Sequence, residues 1–371
     1  MIDQSKMENK RSPKQLSSEM LCAKIESLYE LSCLEAPIPV MGGNTESAVW
    51  QLKTNRGNWL VKVFEASKRP YKRVADEADL YAHLNQQGVR VPKVLLSRRC
   101  QRAEEIEVDM HKYPIIVMEL EELRFTQAAS IRDGELVKIA KTVARMHQCL
   151  QRYEGSLGNA AFTISPGGRV RASLVTFARG VIRMCRGSRP NPLGYDLLVS
   201  SPNASAFTSE ELARFLIIDR EMKAFLTANS QSPHLTKSII HRDLKLEHTP
   251  FLENGDVYIF DFTNRCVGSI SEDLSGMLYE LFASEQITYD RWEKLKDVFL
   301  TGYTSALHLT STDLGAISPF IMSFILRRIS NLSKRAKETQ GIFKAETIRR
   351  HYQFADYLRN LPRMPRSEER R

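Results

Sequence analysis

The sequence predicts an α+β fold in which a small N-terminal β-sheet with one long helix precedes a larger, mostly helical part. Short β-like runs are concentrated before residue 65, and helical spacing of apolar residues dominates after residue 124. The length of 371 residues is more than twice that of a typical ~150-residue domain. We therefore expect two lobes or two domains.

The segments before residue 124 have the spacing of a small sheet packed with helices. In order, they are a helix at 17–35, strands at 38–41, 48–53 and 58–64, a helix at 72–87 and a buried strand at 114–118. We expect residues 17–123 to form an N-terminal lobe that binds nucleotide, preceded by a disordered segment over residues 1–16.

The rest of the chain is predicted to be mostly helical, forming a catalytic and acceptor-binding lobe over residues 124–361 before a disordered tail at 362–371. A capping box formed by Thr208 and Glu211 predicts one helix start. The other predicted elements are helices at 134–150, 271–283, 289–308 and 312–360 and short strands at 250–252 and 257–260. Residues 155–207 are rich in Gly, Pro, Ser and Arg and give no assignment.

Composition excludes several classes of protein. Hydrophobic residues at 42% and charged residues at 26% are typical of a globular chain rather than a disordered or fibrous one. No apolar run approaches the ~18 residues of a membrane span, and the first thirty residues are too polar for a signal peptide. The six cysteines form no Cys-x-x-Cys pair, so we expect reduced thiols and a cytoplasmic location.

Two acids carry the most informative pattern in the chain. Asp243 follows the apolar pair Ile239-Ile240 after two intervening residues, and Asp261 directly follows the apolar run 257–260. Two carboxylates held close together repel each other unless a cation lies between them or one takes a proton. Magnesium with a polyphosphate is the usual occupant of such a site. The pattern therefore favours a magnesium–nucleotide site over two unrelated surface acids.

These loops resemble those of a known fold. His241-Arg242-Asp243-Leu244 and Phe260-Asp261-Phe262 resemble the catalytic and metal-binding loops of the protein-kinase-like fold. The chain as a whole resembles the aminoglycoside phosphotransferase and choline kinase branch. Residues 144–148 are similar to its short Leu-His helix, and Glu272-Asp273-Leu274 is similar to its Asp-Leu helix start. The resemblance implies a bilobal protein-kinase-like fold.

The resemblance also implies roles for individual residues. Asp243 would orient or deprotonate the accepting hydroxyl, Asp261 would hold magnesium at the phosphates, and His241 would brace the loop. Position 248 departs from the family, which usually has an Asn there bound to a second metal. His248 can also bind a divalent cation through a neutral imidazole. Alternatively, His248 has a structural role only.

A lysine in the predicted sheet supplies the other half of the expected site. Lys62 lies among apolar strand residues, where an ammonium group is costly to bury unless it meets an anion. The resemblance implies that Lys62 reaches the α- and β-phosphates and pairs with a helix glutamate, for which Glu77 is the candidate. An ordinary surface ion pair is the alternative.

Two further segments are candidates for nucleotide contacts. Gly42-Gly43-Asn44-Thr45 lies between the first two strands, where backbone amides freed by glycine can cradle phosphate oxygens. A simple turn is the alternative. The stretch 117–120 resembles the hinge that offers main-chain groups to adenine, so Met118 and Leu120 are candidates.

The predicted function is transfer of a phosphoryl group from ATP or GTP, with Mg2+, to a hydroxyl. The alternative is an inactive nucleotide-binding regulatory module on the same fold. Such a module would be expected to lose Lys62, Asp243 or Asp261, and all three are present.

The sequence predicts the chemical class of the acceptor less precisely than it predicts the type of reaction. The resemblance favours a small molecule, and a peptide Ser or Thr is the second option. Six arginines against two acids over residues 154–206 favour a neutral or anionic acceptor over a polycationic aminoglycoside. Arg179, Arg183 and Arg186 would share one face if that segment is helical.

The net charge of +9 is unevenly distributed, with a basic C-terminal region. Its cations are Arg327, Arg328, Lys334, Arg335, Lys337, Lys344, Arg349 and Arg350. They predict either a solvated helical surface or a docking surface for an anionic partner. No aromatic-interleaved basic motif accompanies them, so nucleic-acid binding is not expected.

Overall fold

A computed structural model describes residues 16–40, 47–154, 163–165, 169–171, 194–230, 234–283 and 287–361. The chain forms two compact units. The first consists of Met1–Arg124, Tyr153–Thr163 and Pro250–Thr263, and the second of Phe125–Arg152, Ile164–Thr249 and Asn264–Arg371. The predicted α+β class is confirmed, because the first unit contains an antiparallel sheet and the second is mostly helical.

The sheet of the first unit has five antiparallel strands in the order β1-β2-β3-β5-β4. The strands are β1 (Ile38–Pro39), β2 (Ser47–Thr54), β3 (Gly57–Phe64), β4 (Glu104–Val108) and β5 (His111–Glu119). A tight turn joins β2 to β3, where Thr54 pairs with Gly57, and Gly57 has a φ of +103° that suits glycine. Strand β4 was not predicted, because three glutamates obscure the alternation of Ile106 and Val108 into the core.

Two helices pack in the first unit. They are α1 (Ser18–Leu28) and α2 (Tyr71–Gln86). Helix α1 is shorter than the predicted 17–35, since Tyr29 is already extended. Leu21 and Ile25 of α1 are buried in the same apolar core as Trp50 of β2, so burial of one face holds the helix on the sheet.

A disulfide joins Cys22 of α1 to Cys33, which contradicts the expectation that all thiols are reduced. The chain turns back after α1, and the two Cα atoms lie 6.3 Å apart, within the usual range for a disulfide. The spacing of eleven residues carries no motif, which is why the sequence did not indicate the pair. The cytoplasmic location stays a prediction.

Removing this disulfide should lower stability. We expect the double variant Cys22→Ser, Cys33→Ser to lose about 2–3 kcal/mol of unfolding free energy, because the crosslink constrains a short loop of the unfolded chain. Thermal unfolding with and without reductant measures the effect. Cys100→Ser, at an exposed free cysteine, is the control. Equal melting temperatures for all three proteins would contradict the expectation.

The second unit is built mainly from helices. They are α3 (Asp133–Leu150), α4 (Gly194–Val199), α5 (Ser209–Ser230), α6 (Ile270–Ala283), α7 (Tyr289–Thr304), α8 (Ser311–Thr339) and α9 (Ala345–Asn360). Its strands are β7 (Arg169–Arg171), β8 (Lys237–Ile240) and β9 (Cys266–Ser269), and β8 pairs antiparallel with β9. The short strand β6 (Thr163–Ser165) spans the change from the first unit to the second along the chain. The predicted capping box is present, because Thr208 and Glu211 each donate a backbone N–H to the other's side chain.

Three further predicted elements differ from the structure. The strands expected at 250–252 and 257–260 are reduced to an isolated bridge between Phe251 and Val257. The helical region expected at 312–360 consists of two helices, α8 and α9, because Gln340 adopts a left-handed conformation that ends α8.

Two cations of the basic C-terminal region make contacts within the second unit. Arg349 forms an ion pair with Glu211 at 2.7 Å. Arg350 donates hydrogen bonds to the carbonyl oxygens of Phe282 at 3.0 Å and Ile287 at 2.8 Å. These two cations therefore hold helices together, and an anionic partner for the remaining ones stays a prediction.

Several predicted features lie outside the described residues. They are the termini at 1–15 and 362–371, the segment Gly42-Gly43-Asn44-Thr45, and Arg179, Arg183 and Arg186. Within the ranges that are described, no helix combines the length and apolar character needed to cross a membrane.

Candidate active site

The first unit brings Lys62 and Glu77 together. Lys62 lies on β3, and its Nζ is 3.7 Å from Oε1 of Glu77 on α2. The Glu77 side chain is 0% exposed, so its charge requires a cationic partner. The pairing expected from the resemblance is therefore present in the geometry.

Asp261 meets the same lysine. Lys62 Nζ donates a hydrogen bond to Asp261 Oδ1 at 2.7 Å and another to Thr263 Oγ1 at 2.6 Å. The Thr263 hydroxyl in turn donates to Asp261 Oδ1 at 2.5 Å. Each of these three polar groups thus contacts the other two, and the sequence indicated only Lys62 and Asp261.

The backbone at Asp261 is strained and braced. Its φ of +68° lies in the left-handed region, which costs a non-glycine residue about 1–3 kcal/mol. The Tyr81 hydroxyl accepts the N–H groups of Asp261 at 3.1 Å and Phe262 at 3.4 Å. Burial raises the pKa of Tyr81 well above its ordinary value, so the hydroxyl stays neutral. Tyr81 therefore stabilises the turn that presents the Asp261 carboxylate.

Arg69 is a second buried cation in this cluster. Its Nη1 lies 3.5 Å from Glu77 Oε2 and donates to the Thr263 carbonyl oxygen at 2.7 Å. Arg69 is only 2% exposed. The sequence did not indicate it, because it lies in the polar turn Ser67-Lys68-Arg69-Pro70 with no apolar pattern around it.

The second unit shapes the loop that carries Asp243. The loop follows β8, and Arg242 adopts a left-handed φ of +66°. Asp273, at the start of α6, accepts the N–H of His241 through Oδ2 and the N–H of Arg242 through Oδ1, each at 2.6 Å. Asp273 is 1% exposed. One buried carboxylate therefore holds the strained turn directly before Asp243.

His147 completes this arrangement. Its Nε2 lies 3.1 Å from Asp273 Oδ2, and its Nδ1 lies 2.8 Å from the Tyr303 hydroxyl. The Leu-His helix and the Asp-Leu helix, which carried the resemblance separately in the sequence, thus meet at Asp273. The sequence contained Asp273 within a motif but indicated no role for it.

The side chain of Asp243 is accessible, at 40% exposure. Its backbone N–H donates to His241 Nδ1 at 3.3 Å, so His241 supports the loop. Lys245 Nζ lies 4.0 Å from Asp243 Oδ2. A carboxylate held on a braced loop and open to solvent is suited to accept a proton from a bound hydroxyl.

His248 is buried and oriented by the same loop. Its Nδ1 lies 2.7 Å from the backbone carbonyl oxygen of Asp243. A carbonyl oxygen only accepts, so Nδ1 carries a hydrogen, and in the neutral imidazole Nε2 would carry the lone pair. Imidazole groups that bind metals are commonly oriented in this way. The geometry is thus compatible with the metal role and equally with a structural one.

The two candidates for adenine contacts lie at the end of β5. Met118 pairs with Leu60 of β3 and forms a bridge with Val94. The N–H of Leu120 donates to the Asn58 carbonyl oxygen at 3.1 Å. Their contacts with a nucleotide stay a prediction.

Known proteins share the family and the fold of this chain. Residues 38–308 match the model of the phosphotransferase enzyme family. No curated protein matches the chain by sequence.

Solved structures share the fold at low sequence identity. An amicoumacin kinase in complex with AMP-PNP, Ca2+ and Ami has a TM-score of 0.62 and 18% identity over 94% of this chain and 96% of its own. A microcompartment-associated aminopropanol kinase has a TM-score of 0.62 and 15% identity over 92% and 95%. A spectinomycin phosphotransferase in complex with ADP and spectinomycin has a TM-score of 0.59 and 11% identity over 93% and 99%.

The family match covers more than half of the chain, and these solved structures have the same protein-kinase-like fold. The chain therefore belongs to the phosphotransferase enzyme family and is a kinase that phosphorylates a hydroxyl group.

Proposed function

We propose that the chain transfers the γ-phosphoryl group of ATP or GTP, with Mg2+, to a hydroxyl of a small molecule. The observation that carries the proposal is the position of Lys62 Nζ, 3.7 Å from Glu77 and 2.7 Å from Asp261. A lysine held between a helix glutamate and a metal-binding aspartate is the arrangement that protein-kinase-like enzymes use to position phosphates.

The donor set fits a hard divalent cation. The Asp261 carboxylate is partly exposed, and carboxylate oxygens are the ligands that Mg2+ prefers. Asp261 would hold the metal, with His248 as the second candidate ligand. The metal would neutralise charge on the phosphate oxygens when bound. Lys62 would bind the phosphates, and Glu77 would keep its ammonium in place.

Asp243 acts on the acceptor in this proposal. Its carboxylate would orient the acceptor hydroxyl and take its proton as the new bond to phosphorus forms. Asp273 and His241 keep the loop in the conformation that exposes this carboxylate. No step of the proposal requires His248 to change protonation state.

Asp261→Asn is expected to weaken binding of the magnesium–nucleotide complex as well as the rate of transfer. Loss of one carboxylate ligand removes a negative charge that attracts the metal, and we expect a fall in affinity of about 10-fold or more. A fluorescent ATP analogue titrated at several Mg2+ concentrations measures it. Asp256→Asn, an exposed acid of the same unit, is the control. Unchanged magnesium dependence would count against the metal role.

For the acceptor, we propose a neutral or anionic small molecule, and a peptide Ser or Thr is the second candidate. The cations beside the catalytic loop support this choice. Arg242 lies 3.9 Å from Glu272. The pKa of Glu272 is raised, chiefly because burial disfavours its charge, and Arg242, Arg327 and Lys237 oppose that rise. Three cations thus act electrostatically on one carboxylate.

A panel of hydroxyl compounds of defined charge tests the acceptor class. Labelled ATP is incubated with the protein and ethanolamine, glycerol, glycerate or a serine-containing peptide, and transfer of the label is followed. Transfer to glycerol or glycerate would support the proposal, and transfer to ethanolamine alone would reject it. Magnesium-dependent nucleotide binding with no transfer to any acceptor or to water would favour the inactive module.

A further inference from the structure

Thr263 is a buried hydroxyl that the proposed roles leave unexplained. Its side chain lies between the two groups that would meet the magnesium–nucleotide complex, and the residue is only 3% exposed. Its Oγ1 is 2.6 Å from Lys62 Nζ and 2.5 Å from Asp261 Oδ1. A threonine hydroxyl has one hydrogen to donate and lone pairs to accept. Here the hydrogen goes to Asp261 and a lone pair accepts from Lys62.

We infer that Thr263 is a positioning residue that sets the orientation of the Asp261 carboxylate for the metal, and that Arg69 holds Thr263 in place. The inference rests on the proposed function, because it concerns the same magnesium–nucleotide site. A carboxylate can rotate about its terminal bond, and a hydrogen bond to one named oxygen restricts that rotation. Groups that hydrogen-bond a metal ligand in this way commonly control metal affinity.

The contact is needed because the Asp261 turn is strained. A left-handed φ of +68° is held at the backbone by Tyr81, which leaves the direction of the side chain to other contacts. Lys62 contacts the same carboxylate oxygen as Thr263. In the proposed function the ammonium of Lys62 also binds the phosphates. Thr263 therefore supplies a contact to Asp261 that does not depend on the nucleotide.

Arg69 connects the backbone of Thr263 to helix α2. Its guanidinium donates to the Thr263 carbonyl oxygen at 2.7 Å while lying 3.5 Å from Glu77 Oε2. Glu77 is thereby shared by two cations, Lys62 and Arg69. Two buried cations and two carboxylates occupy one cluster, so their charges balance before any ligand binds. The planar guanidinium has several donors in fixed directions, which lets one side chain contact the carbonyl and the carboxylate together.

The test separates positioning from a general structural role. Thr263→Val removes only the hydroxyl, Thr263→Ser retains it, and Thr54→Val is the matched control. Thr54 is also a buried threonine of the same unit whose hydroxyl donates to a carbonyl oxygen and accepts a backbone N–H. The readout is binding of a fluorescent ATP analogue over a Mg2+ titration, with melting temperature measured in parallel.

We expect Thr263→Val to raise the Mg2+ concentration required for half-maximal nucleotide binding about 10-fold to 100-fold. Thr263→Ser and Thr54→Val should stay within about 2-fold of the unaltered protein, and nucleotide binding without Mg2+ should change little in all three. If Thr263→Val proves unstable, Arg69→Lys takes its place. It keeps the charge but loses the fixed fork, and it should shift the Mg2+ requirement in the same direction.

Equal Mg2+ requirements for Thr263→Val and Thr263→Ser would overturn the inference, even for a protein that transfers phosphate. A loss of nucleotide binding that is the same with and without Mg2+ would also overturn it, because it would indicate a structural role. The outcome that also rejects the proposed magnesium–nucleotide site looks different, since the unaltered protein would then show no magnesium-dependent nucleotide binding at all. That result would overturn both.

Discussion

Asp243→Asn is expected to lower the rate of phosphoryl transfer about 10²–10⁴-fold, the usual cost of losing a positioned base. Binding of the magnesium–nucleotide complex should be nearly unchanged, because Asp243 would act on the acceptor rather than on the nucleotide. An amide cannot take the hydroxyl proton, although it keeps the size of the side chain and the backbone N–H that donates to His241.

The measurement compares turnover and nucleotide affinity in the same preparation. Glu247→Gln is a matched control, since Glu247 lies in the same loop, pairs with Lys245 at 3.3 Å and is largely exposed. It removes the same charge without removing the proposed base. An Asp243→Asn protein that turns over near the unaltered rate would reject the assignment of Asp243.

Asp273→Asn is expected to damage both stability and catalysis. The carboxylate accepts two backbone N–H groups at 2.6 Å, and an amide presents only one oxygen to them. One buried N–H would then face an NH₂ group. We expect a loss of about 3 kcal/mol in unfolding free energy, because hydrogen bonds to charged groups are worth about 1.5–3 kcal/mol each.

The same change should displace the loop that carries Asp243. Small misplacements of a reacting group can lower a rate ~10²-fold, so turnover should fall by that order even below the melting temperature. Asp290→Asn, an exposed acid in the first turn of another helix of the second unit, is the control for thermal unfolding and turnover. Normal stability and normal turnover of Asp273→Asn would show that Asp273 does not hold the loop.

The residues that the sequence identified are those whose role shows in local pattern. Asp243 and Asp261 follow apolar strand-like runs, and Lys62 interrupts one, so each is conspicuous within a few neighbouring residues. The spacing of apolar residues likewise predicted α2 and β5 close to their observed bounds. The family match then supports the kinase activity. The sheet and the helices confirm the α+β class.

The residues that the sequence missed act through contacts between distant parts of the chain. Arg69 and Thr263 are 194 positions apart, and Lys62 and Thr263 are 201 apart. Periodicity describes only near neighbours, so it cannot reveal which polar side chain a lysine will meet. The disulfide was not predicted for a different reason. It depends on where α1 ends, and helix ends are set by capping and packing as well as by the spacing of apolar residues.

The first unit is assembled from three separate stretches of chain, and this has a consequence for how the protein is made. Residues up to Arg124 leave the ribosome long before Pro250–Thr263, which complete the same unit. At ~5–20 residues per second, the delay is on the order of ten seconds. During that interval Lys62 and Arg69 lack the partners that Asp261 and Thr263 provide. Nascent chains therefore pass through a stage in which this charged cluster is incomplete, and a fragment ending at Arg124 would remain at that stage.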